Sequence, residues 1–273
     1  MGKKVIISSF HSGSYFALTK LDYSPDVILS FDSHLDFGVG GVEFLNKFPK
    51  LKKKDGLKYT YTRNAVHLLM KKWFEGLSEF VIFHSEDAMK DTATISDILF
   101  KEKVGRGFRQ YPIQKRIEQL KDVHKKVWGV QIVESPPTNL LEFTDFDGNV
   151  LIDIDIDYFS DMQTECYSYE ITKSLINGGK SDDVLLLIEK IKPELITISE
   201  VKTSALGNES SKINFFLKRL EGMGYEIERF FVFNTDEEAT KYLQLVNPAN
   251  PISDLKNLQE GDVEKIMREF GVN

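Results

Sequence analysis

Three side chains of types that commonly bind metal ions lie two residues apart in the segment SFDSHLDF (30–37), namely Asp32, His34 and Asp36. An apolar run, VIL at 27–29, comes directly before them. Charged groups at the end of a hydrophobic strand cost free energy unless something pairs with them. A solvated turn and a metal site are both open interpretations. Because the set combines carboxylates with an imidazole, a metal site here would suit Mn, Fe or Zn better than Mg.

A second acidic segment, LIDIDIDYFS at 151–160, has an aspartate at every other position. In an extended strand Asp153, Asp155 and Asp157 share one face, and the isoleucines between them share the other. A solvated strand face would need no ligand, but three carboxylates on one face repel one another unless a cation or an arginine neutralises them. This segment alone leaves both interpretations open, and together with the first segment it favours a metal site.

Further polar side chains follow other apolar runs of the chain: His11 follows the first, His84 the third and Glu200 the sixth. Parallel α/β sheets bind ligands at the carboxyl ends of their strands, so we expect these residues near the two acidic segments. A histidine is the natural proton donor near neutral pH, and His67 and His84 are both candidates for that role. His124 lies in a charged segment and is expected at the surface.

The elements that would position these residues are short, mostly apolar runs rich in strand-forming residues. Runs so uniformly apolar are typical of parallel strands covered on both faces. The predicted strands are KVIIS (4–8), DVILSF (26–31), EFVIFH (79–84), KVWGVQIV (126–133), NVLIDIDID (149–157), ELITISEV (194–201) and IERFFVF (227–233).

Between the apolar runs, apolar residues at three-to-four spacing predict helices at 62–77, 181–193 and 210–225. Alternation of strands and helices implies βαβ units. We therefore predict an α/β fold, a single three-layer α/β/α domain over 1–273 with a mainly parallel sheet and a long insertion at about 86–112. Insertions of that length in a compact domain are often lids or binding elements.

The composition limits the classes of partner. The chain has 273 residues, of which 41% are hydrophobic and 28% charged, values typical of a soluble globular protein. A formal net charge of -7 argues against nucleic acid and anionic membranes as partners. The single cysteine, Cys166, excludes an internal disulfide and suits a reducing compartment. We find neither a targeting signal nor an apolar run long enough for a membrane span, and expect a cytoplasmic protein.

At four places the sequence resembles the arginase–agmatinase (ureohydrolase) superfamily of binuclear manganese hydrolases. FDSHLD resembles the family's Asp-Ala-His-x-Asp signature, and DIDYFS its Asp-x-Asp-x-x-Asp signature. FHSGSY resembles its early His-Ser, and TISEV its late strand that ends in a glutamate. The four matches occur in the family's order and span residues 11–200. More narrowly, the chain is similar to a little-studied arginase-like branch that includes enzymes turning peptide arginine into ornithine.

The resemblance implies an arginase/deacetylase-like fold and two divalent metal ions, with Mn preferred and Zn or Fe as alternatives. A metal-bridging hydroxide would attack the guanidinium carbon of the substrate. Asp36 would orient that hydroxide, Glu200 would bind the guanidinium group, and His67 lies roughly where the family keeps its proton-shuttle histidine. The metal ligands carried over from the family are His11, Asp32, His34, Asp36, Asp155 and Asp157.

Of these ligands, the family pattern makes Asp32 and Asp155 the bridges between the two ions. His11 and Asp36 would complete one site, and His34 and Asp157 the other. An alternative register would use Asp153 and Asp155 as the paired ligands of the second acidic segment. We favour Asp155 and Asp157, with Asp153 contacting the ligands rather than the metal.

The expected substrate is a small molecule or peptide bearing a guanidinium group, such as arginine, an agmatine-like compound or peptidyl arginine. The chain has no clear match to the acidic residues with which the family holds the amino-acid end of free arginine. Two alternative functions are a mononuclear zinc amidohydrolase of the deacetylase type and a metal-binding protein without turnover. A haloacid-dehalogenase-like phosphatase would explain VLIDIDIDYF but not DSHLD. A homo-oligomer is an open alternative to a monomer.

Overall fold

The structure of the protein is a computed structural model. It describes residues 2–8, 11, 14, 17–18, 21–32, 67, 70, 74, 76–85, 111–135, 143–159, 179–199 and 214–229. Predicted site residues His34, Asp36 and Glu200 lie outside the described residues, as does the side chain of Asp157.

Within the described residues, seven parallel strands form one sheet, in the order β4-β3-β2-β5-β6-β1-β7. This confirms the predicted α/β fold with a mainly parallel sheet. The strands are β1 (Lys4–Ser8), β2 (Val27–Phe31), β3 (Glu79–Ser85), β4 (Gln131–Ser135), β5 (Val150–Asp155), β6 (Leu195–Ser199) and β7 (Glu226–Arg229).

The centre of the sheet is covered on both faces, as the apolar runs predict. Every residue of β2, β5 and β6 is buried, whereas the edge strand β7 is largely exposed. Phe31 stacks on Phe83 with ring centroids 4.5 Å apart, and Tyr158 meets Phe31 edge-on at 5.2 Å. These contacts make the carboxyl end of β2 a rigid, well-packed base for the residues that follow it.

The described helices are α1 (Ile113–Val123), α2 (Gly179–Ile191) and α3 (Asn214–Gly222). The helices predicted at 181–193 and 210–225 correspond to α2 and α3, whereas α1 was not predicted. The apolar faces of α2 and α3 pack into the core through side chains that include Val184, Ile188 and Leu220. Within the described part of the chain, no helix is both long and apolar enough to cross a membrane.

In two of the predicted strands, part of the run is helical in the structure. The run at 126–133 is not one strand, because α1 continues as a π-helical segment, His124–Trp128, and β4 begins only at Gln131. Gly129 ends the helix in the left-handed conformation (φ 64°), and its N–H donates to the carbonyl of Lys125. A mostly apolar run shows neither the spacing of a helix nor the alternation of a strand, so the sequence did not distinguish the helical part from the strand.

The run at 149–157 is a strand only as far as Asp155, after which the chain tightens into a 3₁₀ helix, Ile156–Phe159. Asp153 and Asp155 therefore share a strand face as predicted. Asp157 does not share that face, because its backbone belongs to the 3₁₀ helix. This change of conformation turns the chain at the point where the carboxylates collect.

The residues that precede β2 and β5 hold the amino ends of these two parallel strands together. Asp26 Oδ2 accepts a hydrogen bond of 2.8 Å from the N–H of Asn149, and Val27 pairs with Val150 in the sheet. Gly148 has φ +97°, and a Cβ there would lie 2.4 Å from Asp26 Oδ2. Only glycine allows this backbone conformation and approach without strain.

Candidate metal centre

The predicted metal-ligand residues that the structure describes meet at the carboxyl ends of neighbouring strands. Asp32 directly follows β2, Asp155 is the last residue of β5, and His11 lies three residues beyond the end of β1. In the sheet β5 lies beside β2, and β6 lies between β5 and β1. His11 thus reaches across the end of β6, because its Nε2 lies 2.7 Å from Asp153 Oδ2.

Polar residues at the carboxyl ends of β2, β5 and β6 form two rows at this edge of the sheet. Asp153 pairs in register with Ser30 on one side and Thr197 on the other, and Asp155 pairs with Ser199. Side chains two residues apart on a strand share a face, so the second row continues the first. We call them the inner row (Ser30, Asp153 and Thr197) and the outer row (Asp32, Asp155 and Ser199).

In the inner row, Asp153 accepts hydrogen bonds at both carboxylate oxygens. Thr197 Oγ1 donates to Oδ1 at 2.7 Å, while Ser30 Oγ donates to Oδ2 at 3.1 Å and His11 Nε2 lies 2.7 Å from the same oxygen. Asp153 is fully buried, which alone would raise its pKa. The charges of His11 and His67 and their hydrogen bonds outweigh burial and hold the pKa of Asp153 well below its usual range. Asp153 is therefore a buried, ionised carboxylate.

Around the outer row, the second ring nitrogen of His11 faces the carboxylates. His11 Nδ1 lies 3.1 Å from Asp32 Oδ2 and 3.7 Å from Asp155 Oδ2. Asp32 is completely buried, and His11 and Asp155 are each 6% exposed. Nitrogen and oxygen ligands lie about 2.0–2.2 Å from Zn or Mg, so adjacent ligand atoms on one such ion are about 3.0–3.4 Å apart. The observed spacing is close to this, and the residues present fit a divalent ion.

His67 brings a second imidazole to the same place. It is completely buried, with Nε2 2.7 Å from Ser30 Oγ and 3.8 Å from Asp32 Oδ2. Its ring meets that of His11 edge-on, with centroids 5.0 Å apart. His11, Asp32 and His67 can each offer one ligand atom within 4.8 Å of the others. This trio is thus a second way of arranging ligands around one ion.

His84 contacts the backbone of the ligand residue Asp32. Its Nδ1 lies 3.0 Å from the carbonyl oxygen of Asp32, and the N–H of Asp32 donates to the carbonyl of Phe83. Because a carbonyl only accepts, His84 must donate from Nδ1. His84, on β3, therefore positions the Asp32 backbone and contacts the site from the side opposite to β5.

The prediction that His124 lies at the surface is wrong, since His124 is completely buried. It continues the buried stripe of α1 at helical spacing after Ile117 and Leu120, and its Nδ1 donates to the Leu120 carbonyl at 2.9 Å. Burial lowers the pKa of His124 to about 4, the hydrogen bond to Leu120 opposes this, and the charge of His67 adds to it. The charged residues beside His124 in the sequence concealed this spacing.

The structure thus brings together the predicted residues His11, Asp32, Asp153 and Asp155, with His67 and His84 against them. Sequence reasoning missed the two hydroxyl side chains of the inner row, Ser30 and Thr197. Their signal was a hydroxyl residue flanked on both sides by apolar residues of a strand, in VILSF and in LITIS. A hydroxyl buried in a strand needs a partner, and here the partner is a carboxylate on the neighbouring strand.

A comparison of the chain with models of known protein families gives no match. A search of curated proteins gives no match either. What the site binds therefore has to be inferred from its geometry and from the motifs of the chain.

Proposed function

We propose that the protein is a metal-dependent hydrolase that cleaves a C–N bond of a guanidinium-type substrate. The observation that carries this proposal is the convergence of His11 Nδ1 with the carboxylates of Asp32 and Asp155. These groups come from three strand ends and are almost wholly buried. Burying two carboxylates beside a histidine is costly unless a cation neutralises them. A divalent ion provides that neutralisation and gives the arrangement a chemical purpose.

The proposed metal ligands are His11, Asp32 and Asp155, together with side chains that the structure does not describe. His34, Asp36 and Asp157 are proposed to complete a two-ion set, as the resemblance to the ureohydrolases implies. Manganese is the proposed metal, with zinc or iron as alternatives, because the set mixes imidazole with carboxylates. When bound, such ions lower the pKa of water towards neutrality, so that it can act as a nucleophile.

The proposed substrate carries a cationic guanidinium group, as in arginine, an agmatine-like compound or peptidyl arginine. This choice rests on the resemblance, in which Glu200 forms charge-assisted hydrogen bonds to the guanidinium. Glu200 directly follows β6, the strand between β5 and β1. Because parallel strands end at one edge of a sheet, the proposal expects Glu200 near Asp155 and His11. Burial of the ligand residues also excludes bulk water, which strengthens their electrostatic interactions.

The chain also needs a group that supplies a proton to the departing amine. We assign this role to His67, whose Nε2 lies 3.8 Å from Asp32 Oδ2, rather than to His84. His84 uses Nδ1 to hold the backbone carbonyl of Asp32, which favours a positioning role. Asp36 is proposed to orient the attacking water, as the resemblance implies.

One observation favours a second candidate function, a mononuclear zinc amidohydrolase of the deacetylase type. His11, Asp32 and His67 form a donor group for a single ion, and two imidazoles with one carboxylate suit zinc. Metal content separates the two candidates. One tightly held zinc ion per chain, retained after Asp36→Ala, would support the mononuclear site against the binuclear one.

The proposed reaction is tested by incubating the manganese-loaded protein with free arginine, agmatine and arginine-containing peptides in parallel. We expect release of urea, together with ornithine from arginine or peptidyl ornithine from the peptides. Asp32→Asn should abolish release, whereas Asp122→Asn, the same chemical change at an exposed residue of α1 paired with Lys126, should not. If the metal-loaded wild-type protein releases urea from none of these compounds, the proposed substrate class is wrong.

A further inference from the structure

The carboxylate of Asp153 is already committed to protein donors. Oδ1 accepts from Thr197, and Oδ2 accepts from Ser30 and is 2.7 Å from His11 Nε2. A carboxylate has about four lone-pair sites, and three of them are engaged here inside the protein. Asp153 is therefore poorly placed to bind a metal ion itself, although it belongs to the same acidic segment as Asp155.

The short contact between His11 and Asp153 decides where the imidazole carries its hydrogen. Both carboxylate oxygens of Asp153 already accept a hydrogen from a hydroxyl group, so at 2.7 Å the Nε2 atom of His11 is a further donor to Oδ2. An imidazole that binds a metal ion is neutral, and with hydrogen on Nε2 its lone pair then lies on Nδ1. This is the nitrogen that faces Asp32 Oδ2 at 3.1 Å and Asp155 Oδ2 at 3.7 Å. The ring thus presents its acceptor nitrogen to the outer row.

The same reasoning reaches His67 through Ser30. The hydroxyl of Ser30 has one hydrogen, and the stronger acceptor within reach is the carboxylate of Asp153, at 3.1 Å. The 2.7 Å contact between Ser30 Oγ and His67 Nε2 therefore needs its hydrogen on the histidine. Because Nε2 of His67 donates to Ser30, it cannot at the same time offer a lone pair to a metal.

We propose that Asp153 is the positioning residue of the candidate metal centre. It keeps the hydrogen of His11 on Nε2 directly and that of His67 on Nε2 through Ser30, so that Nδ1 of His11 is the metal-binding atom. This inference rests on the proposed metal-dependent function. A carboxylate that accepts the second ring N–H of a metal-binding histidine fixes its tautomer and orientation and raises its basicity. The hydrogen on Nε2 of His67 also favours His11, Asp32 and Asp155 as ligands over the group of His11, Asp32 and His67.

The first experiment determines which ring nitrogen of each histidine carries hydrogen. Metal-free wild-type protein labelled with ¹⁵N at histidine is studied by long-range ¹H–¹⁵N correlation NMR at about pH 8, and signals are assigned with single His→Gln variants. We expect hydrogen on Nε2 of His11 and His67. His84 and His124 are internal references with the opposite pattern, because both donate from Nδ1 to backbone carbonyls. An unprotonated Nε2 on His11 would overturn the proposal without any variant of Asp153.

The second experiment uses Asp153→Asn, which keeps the shape of the side chain and removes its charge. The neutral His11 ring then chooses between an amide at Nε2 and the Asp32 carboxylate at Nδ1, and we expect its hydrogen to move to Nδ1. Affinity for Mn²⁺, measured by competition with a chelator, should fall about 10- to 100-fold. Thr197→Val is the matched control. It removes the hydrogen bond to the other oxygen of Asp153, so we expect a lower melting temperature with hydrogen still on Nε2 of His11.

The outcomes separate this inference from the proposed function. If wild-type protein binds Mn²⁺ and Asp153→Asn changes neither the hydrogen position on His11 nor the affinity, the positioning role is wrong and the metal site stands. If wild-type protein binds no divalent ion, the proposed function fails. The hydrogen positions in the wild-type spectrum then still decide whether Asp153 fixes the two rings. If Asp153→Asn does not fold, the same wild-type spectrum decides.

Discussion

Acidification should destabilise the protein through His124, a residue outside the candidate metal centre. Burial lowers the pKa of the His124 imidazole from 6.5 to about 4. The hydrogen bond to Leu120 raises this pKa, and the charge of His67 lowers it further. As the pH falls below 6.5, His124 of the unfolded chain takes up a proton, but His124 of the folded protein stays neutral until about pH 4. The stability contributed by the neutral residue is therefore lost as the pH falls through this window.

The size of the effect follows from the two pKa values. Each pH unit between them changes the free energy of unfolding by about 1.4 kcal/mol. At pH 5 the loss attributable to His124 should be about 2 kcal/mol, and at pH 4 it should approach about 3 kcal/mol. This is a large part of the 5–15 kcal/mol that stabilises a typical domain.

The assay compares metal-free wild-type protein with His124→Asn by urea denaturation at several pH values between 7.5 and 4. The amide of asparagine can still donate to the Leu120 carbonyl near the position of Nδ1, but it cannot take up a proton. Groups common to both proteins cancel in the difference between their free energies of unfolding. We expect this difference to change by about 3 kcal/mol against the wild type as the pH falls. A difference that does not change with pH would refute the reasoning.

Two further predictions concern the contact between Gly148 and Asp26, before β5 and β2, and the outer row. Gly148→Ala should lower the free energy of unfolding by about 1–3 kcal/mol, because φ is +97° and the new Cβ would lie 2.4 Å from Asp26 Oδ2. Chemical denaturation measures this free energy. Gly76→Ala is the control, because a Cβ at Gly76 would have no atom within 4 Å and should change stability by less than about 0.5 kcal/mol. Mn²⁺ at a hundred times its dissociation constant should stabilise the wild type by about 2.7 kcal/mol in thermal denaturation. Asp32→Ala should lose that stabilisation, and retention of it would place the ion elsewhere.

Much of the fold could be predicted because the strands are short, apolar and buried on both faces. β1 has the predicted bounds, and β2 and β3 each differ from them by one residue. The errors occurred where local sequence has no distinguishing period. A positive φ at Gly129 separates a π-helical segment from β4, and the strand that starts at Val150 becomes a 3₁₀ helix after Asp155.

The candidate site was predictable as a set of residue types but not as a geometry. Placing polar residues after apolar runs identified His11, Asp32 and Asp155, because parallel strands end at one edge. It could not show that Asp153 would be hydrogen-bonded by Ser30 and Thr197, since this depends on the register between strands distant in the sequence. Long-range contacts such as the hydrogen bond from Asn149 to Asp26 accompany that register, and no local pattern reveals them.

The most direct test of the metal centre is a crystal of the protein grown with Mn²⁺ and measured for anomalous scattering. We predict an anomalous peak within about 2.0–2.3 Å of Nδ1 of His11 and in contact with the carboxylates of Asp32 and Asp155. Nε2 of His11 should remain hydrogen-bonded to Asp153. A manganese-saturated crystal with no peak at these three residues, or with His11 bound to the ion through Nε2, would contradict the account.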